Sequence, residues 1–61
     1  MKYKIRYREY YEGDFVKGVL AVEARFFKIE NGFVAAWFED NETQIPDLYI
    51  NVNDVLTIKP L

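Results

Sequence analysis

Asn31-Gly32 stands between two runs rich in aromatic and apolar residues, 26–30 and 33–38. Asn-Gly suits the type I′ turn, whose two central residues both need a positive φ, and such a two-residue loop joins adjacent antiparallel strands. The loop length fixes the register. Glu30 faces Phe33, Ile29 faces Val34, Lys28 faces Ala35, Phe27 faces Ala36 and Phe26 faces Trp37. Side chains alternate across a strand, so one face of the hairpin carries Phe27, Ile29, Val34, Ala36 and Phe38. The other carries Phe26, Lys28, Glu30, Phe33, Ala35 and Trp37. The first is the expected core face. The second mixes rings with charge, as a partly exposed surface does, and it becomes a second core layer if something covers it.

The rest of the chain reads as strands too. From Lys2 to Tyr11 the period is two: Tyr3, Ile5, Tyr7 and Tyr11 share one face, and Lys2, Lys4, Arg6 and Arg8 the other. Glu12-Gly13-Asp14 suits a turn. A long second strand is expected from Phe15 or Val16 to Glu30, and its apolar phase switches on the way. Val16, Leu20, Val22, Ala24 and Phe26 are even-numbered, whereas Phe27 and Ile29 are odd, which requires a bulge or bend near Phe26-Phe27. Gly18 fits a bend or a close backbone approach. A polar turn follows at Asp40-Asn41-Glu42-Thr43, then a strand over 44–52 with Pro46 at an edge or a strand start. Asn51-Val52-Asn53-Asp54 offers Asx chemistry for a tight connection such as one 3₁₀ turn. A last strand runs from Val55 to Lys59. The expectation is an all-β, single-domain chain over residues 1–61, a five-stranded antiparallel small barrel or roll.

Sixty-one residues leave little core to work with. A chain of this length buries only about 60% of its unfolded surface, and small folds commonly add disulfides, a metal or a partner. Cys and His are both absent, so no disulfide forms and an ordinary zinc site is not expected. No cofactor is expected. Five Tyr, five Phe and one Trp leave tightly packed rings, a partner chain, or both, and self-association follows as an expectation.

The strand order, the long bent second strand and the single turn before the last strand resemble a small barrel of the Src-homology-3 type. Tyr7, Tyr10 and Tyr11 near the end of the first strand, Trp37 on the third, and the Pro-x-x-Tyr spacing of Ile45-Pro46-Asp47-Leu48-Tyr49 carry the comparison. The resemblance implies a groove of aromatics that flanks proline-rich ligands. The chain departs from the family in placing Trp37 late in its strand and in inserting Asn51 to Asp54 before the last one.

Catalysis is not expected. The chain has no His, Cys or Ser, so the usual general base and the best nucleophiles are missing. Paired carboxylates, such as Glu39 or Asp40 with Asp54, would need a deep cleft to separate their pKa values. Asp40-Asn41-Glu42 lacks the glycine and spacing of a calcium loop. The net charge is −2, yet Lys2, Lys4, Arg6 and Arg8 precede the first acid, while residues 39–54 hold five acids and no base. No apolar run reaches membrane-spanning length and no leader pattern is visible, so a cytoplasmic, non-membrane protein is expected. The leading functional expectation is a non-enzymatic protein-interaction module, an accessory or inhibitory factor. It would bind through Phe33, Trp37, Lys28 and Tyr49, since Trp, Tyr and Arg dominate interface hot spots. The alternative is single-stranded nucleic acid or RNA held along Lys2, Lys4, Arg6 and Arg8. Against it, bases on an edge strand serve equally well to block edge-to-edge aggregation.

Overall fold

A computed structural model describes residues 2–10, 17–39 and 45–61. The expected turns at Glu12-Gly13-Asp14 and Asp40-Asn41-Glu42-Thr43, and Tyr11, Phe15, Val16 and Gln44, lie outside the described residues. Six strands and one 3₁₀ turn are present: β1 (Tyr3–Tyr10), β2 (Lys17–Ala24), β3 (Phe26–Glu30), β4 (Phe33–Trp37), β5 (Leu48–Asn51), η1 (Val52–Asp54) and β6 (Val55–Pro60). They form two three-stranded antiparallel sheets, ordered β2-β1-β6 and β3-β4-β5.

The expected count of five becomes six because the long second strand breaks into β2 and β3 at Arg25. The bend falls between Ala24 and Phe26, just before the expected site at Phe26-Phe27. The reason is the apolar phase. Ala24 must point into the core from the first sheet and Phe27 from the second, and they are three positions apart, an odd offset that a straight strand cannot accommodate. The Arg25 N–H donates to the Trp37 carbonyl at 2.8 Å, which ties the bend to the second sheet. Gly18 pairs in regular register with Glu9. No closed barrel is formed by the described strands, which pair only within their own sheets.

The Asn31-Gly32 hairpin has the expected register throughout. Asn31 and Gly32 take φ of 53° and 79°, the positive pair a type I′ turn needs. A Cβ at Gly32 would meet no atom within 4 Å, so backbone strain alone favours glycine there. The Val52 N–H donates to the Gly32 carbonyl at 2.9 Å, and the Asn51 side chain accepts from the Asn53 N–H at 2.9 Å, which caps η1. Pro46 precedes β5, an edge strand. Just after it, the Asp47 N–H donates to the Ala36 carbonyl and the Asp47 carboxylate accepts from the Phe38 N–H.

The core lies between the sheets. Ile5, Tyr7 and Ala24 from the first sheet meet Val34, Ala36 and Ile50 from the second, with Leu20, Val22, Phe27, Leu48, Val55 and Ile58 packed around them. The Tyr3 and Phe27 rings meet edge to face across the two sheets, 5.1 Å between centroids. Two expected core residues are not in it. Ile29 and Phe38 are exposed; Ile29 lies next to the tip of the hairpin and Phe38 beyond the end of β4.

Tyr7 faces inward. Burial, with a smaller push from the Glu9 charge, raises its phenol above the ordinary value. The fold favours the neutral phenol and the unfolded chain releases its proton first. This contribution is therefore intact below about pH 10 and lost as pH rises through the folded-state value. Denaturant melts from pH 8 to 12 are expected to show a steeper alkaline loss for the native protein than for Tyr7→Phe.

Candidate functional site

Two outer faces point away from the core in opposite directions, and each carries one set of expected binding residues. The outer face of the second sheet is set by the two registers around β4. One row across the strands reads Glu30, Phe33, Asn51, and the next reads Lys28, Ala35, Tyr49. A third pairs Phe26 with Trp37. The expected partner-binding residues Phe33, Trp37, Lys28 and Tyr49 thus share one face.

Their exposures divide them into two kinds. Phe33 and Tyr49 are 46% and 61% exposed, and Lys28 is exposed, but Trp37 is only 7% exposed. The Phe26 ring stacks on the indole, with centroids 5.1 Å apart and planes 26° from parallel, and the Lys28 ammonium lies 5.8 Å from the indole centroid. Such a cation–π contact is worth about 0.5–1 kcal/mol at an exposed site. Trp37 is therefore a floor beneath the face and not a ring presented to a partner. Ala35, also buried, sits between Lys28 and Tyr49 in its row. Sequence reasoning left Phe26 out of this group, although the register that places it opposite Trp37 was the available signal.

The outer face of the first sheet carries Lys4, Arg6 and Arg8 of β1, with Lys2 just before the strand; all are exposed. The edge-strand explanation of these bases does not hold. β1 is the central strand of its sheet, paired to β2 on one side and β6 on the other. Lys59 of β6 and Glu23 of β2 lie opposite Lys4, so β6 adds a base that the sequence pattern did not assign. Leu56 forms a bulge on β6, between the partners of Arg6 and Tyr7. Among the described residues no ion pair engages Lys2, Lys4, Arg6, Arg8 or Lys59. At the start of β1 an open depression of about 180 Å³ is lined by Lys2, Glu23, Arg25 and Phe38.

Among the described residues, those that suggested the aromatic groove of the Src-homology-3 resemblance are not brought together; Tyr11 lies outside them. Tyr7 lies in the core, and Trp37 is covered. Tyr10 stands at the end of β1, on the other sheet from Tyr49, with its hydroxyl donating to the Asp54 carboxylate at 3.3 Å. Among the described residues no cluster of three carboxylates is close enough to hold a metal ion, and no helix is long and apolar enough to cross a membrane.

No family model matches the chain, and comparison with curated proteins and with solved structures finds no match.

Proposed function

We propose that the chain is a non-enzymatic protein-interaction module, an accessory or inhibitory factor that acts by occupancy, and that it binds through the outer face of the second sheet. The observation that carries this reading is the pair of exposed rings, Phe33 and Tyr49, on a floor of buried Ala35 and Trp37. Rings held on a hydrogen-bonded sheet lose little conformational freedom on binding, which is where much of the cost of association otherwise lies. Lys28 and Glu30 border the rings with one charge of each sign. The bent strand pair β2-β3, the tight β3-β4 hairpin and η1 before β6 support an Src-homology-3-like roll as its architecture. Phe33→Ser combined with Tyr49→Ser is expected to keep the native circular dichroism spectrum. It should lose the proteins that the native chain retains in nuclease-treated affinity capture from its own cell. Capture of the same proteins by both forms would refute the reading.

A second reading is favoured by the central position of β1, which we propose as a track for single-stranded nucleic acid. Lys2, Lys4, Arg6 and Arg8 repeat about every 6.8 Å along it, Lys59 flanks them, and Phe38 in the neighbouring depression offers a ring on which a base could stack. Four phosphate contacts give a salt slope of roughly −2.8, so affinity for a fluorescent oligothymidylate should fall about 50-fold between 50 and 200 mM salt. Arg6→Glu should remove binding, while Phe38→Ala weakens it without changing the slope. No binding at 50 mM salt, or equal competition by polyglutamate, would end this reading.

A further inference from the structure

The outer face of the second sheet has an internal symmetry that names its partner. Its two middle rows are Glu30, Phe33, Asn51 and Lys28, Ala35, Tyr49, in that order across β3, β4 and β5. Consider a two-fold axis lying along the face, across the strands and midway between the rows. It carries each row of one copy onto the other row of the second copy and keeps each strand over its own counterpart. Glu30 then meets Lys28, Phe33 meets Ala35, and Asn51 meets Tyr49, each contact occurring twice, as an isologous interface requires.

Every one of the three contacts is complementary in kind. Glu30 with Lys28 joins opposite charges. Phe33 with Ala35 sets the largest side chain of β4's middle rows over the smallest. Asn51 with Tyr49 brings an amide that both donates and accepts against a phenol that does the same. The third row, Phe26 and Trp37, falls opposite the end of the partner hairpin, where Gly32 has open space around it. Two sheets stacked with strands nearly aligned is a standard packing, about 10 Å between sheets.

We infer that two copies of this chain pair face to face through β3, β4 and β5 about that axis. The inference rests on the proposed function in using the same face, and it specifies a second copy as the occupant. Five residues of strand by three strands give a face of about 17 by 14 Å. That is small beside the roughly 800 Å² each partner buries in a standard interface, so the dimer is expected to be weak and to form only at high protein concentration. The size of the contact also explains why the monomer must keep its own core.

Complementary charge reversal tests it by sedimentation velocity from 10 µM to 1 mM. The native chain is expected to shift from 7.3 kDa toward twice that mass as concentration rises. Lys28→Glu alone places two acids opposite two acids, and Glu30→Lys alone places two bases opposite two bases, so each should weaken pairing at least tenfold. An equimolar mixture of these two variants should regain a dimer, because each acidic row then meets a basic one. Phe33→Ala should weaken the native dimer as well, and circular dichroism should show all the variants folded. A native chain that stays monomeric at 1 mM, or a mixture that pairs no better than its components, overturns the inference. Failure here with retained proteins still lost in the Phe33→Ser, Tyr49→Ser capture would leave the face as a binding surface for another protein. Failure of both would remove the face itself.

Discussion

Trp37→Ala is expected to lower the melting temperature by more than about 15 °C, from a loss near 3 kcal/mol, although Trp37 is outside the inter-sheet core. The indole is 7% exposed, stacked on Phe26 and overlain by Lys28, and its carbonyl anchors the Arg25 bend. Removing the ring opens a void beside Phe26 and leaves that ring without its stacking partner. Alanine retains the carbonyl, so the bend keeps its hydrogen bond and the loss is one of packing. A chain of this length has about 3–9 kcal/mol of stability in total. Phe33→Ala and Tyr49→Ala on the same face should each cost less than about 1 kcal/mol, since neither ring is buried. Thermal melts of the three variants side by side distinguish floor from contact surface. Equal, small effects from all three would mean that Trp37 is as exposed as its neighbours.

Ile5→Ala should be at least as severe. Ile5 is fully buried in the first half of β1, where it is paired to Val22 on one side and Ile58 on the other. It and Val34 are the largest fully buried side chains among the described residues. Truncation of a buried isoleucine costs about 2–5 kcal/mol, and shortening it to valine about 0.5–1.5. Urea titration should therefore give a graded series, with native above Ile5→Val and Ile5→Val well above Ile5→Ala, at an unchanged slope. If Ile5→Ala leaves the midpoint where it was, the first sheet does not pack as described.

Much of the architecture was legible because it depends on local chemistry. Asn31-Gly32 set the hairpin register without help from the rest of the chain, and the period of two in β1 separated Ile5 and Tyr7 from Lys4, Arg6 and Arg8. The odd spacing from Ala24 to Phe27 required a break in the second strand. It could not say that Arg25 would carry the break, because either flanking residue satisfies the parity. What failed depends on neighbours that one strand does not reveal. Alternation puts Ile29 on the inner face but does not say where the opposite sheet ends. The bases of β1 looked like an edge device because nothing in their own sequence shows that β6 pairs alongside them. The candidate contact face was legible as a set, since register alone gathers Phe33, Trp37 and Lys28. Which of its rings would be covered depended on the rows, where Phe26 and Lys28 converge on Trp37 and leave Phe33 and Tyr49 outside.

Site-specific photo-cross-linking tests the proposed contact face most directly. A benzophenone side chain is placed at Tyr49 in one protein and at Val19 in another. These positions have nearly equal exposure, 61% and 60%, on the second and first sheets respectively. Irradiation at high protein concentration and in native extract should give discrete protein adducts from position 49 that disappear when Phe33→Ser is added, with none above background from position 19. Adducts of equal yield from both positions, or none from position 49 under either condition, would contradict the account.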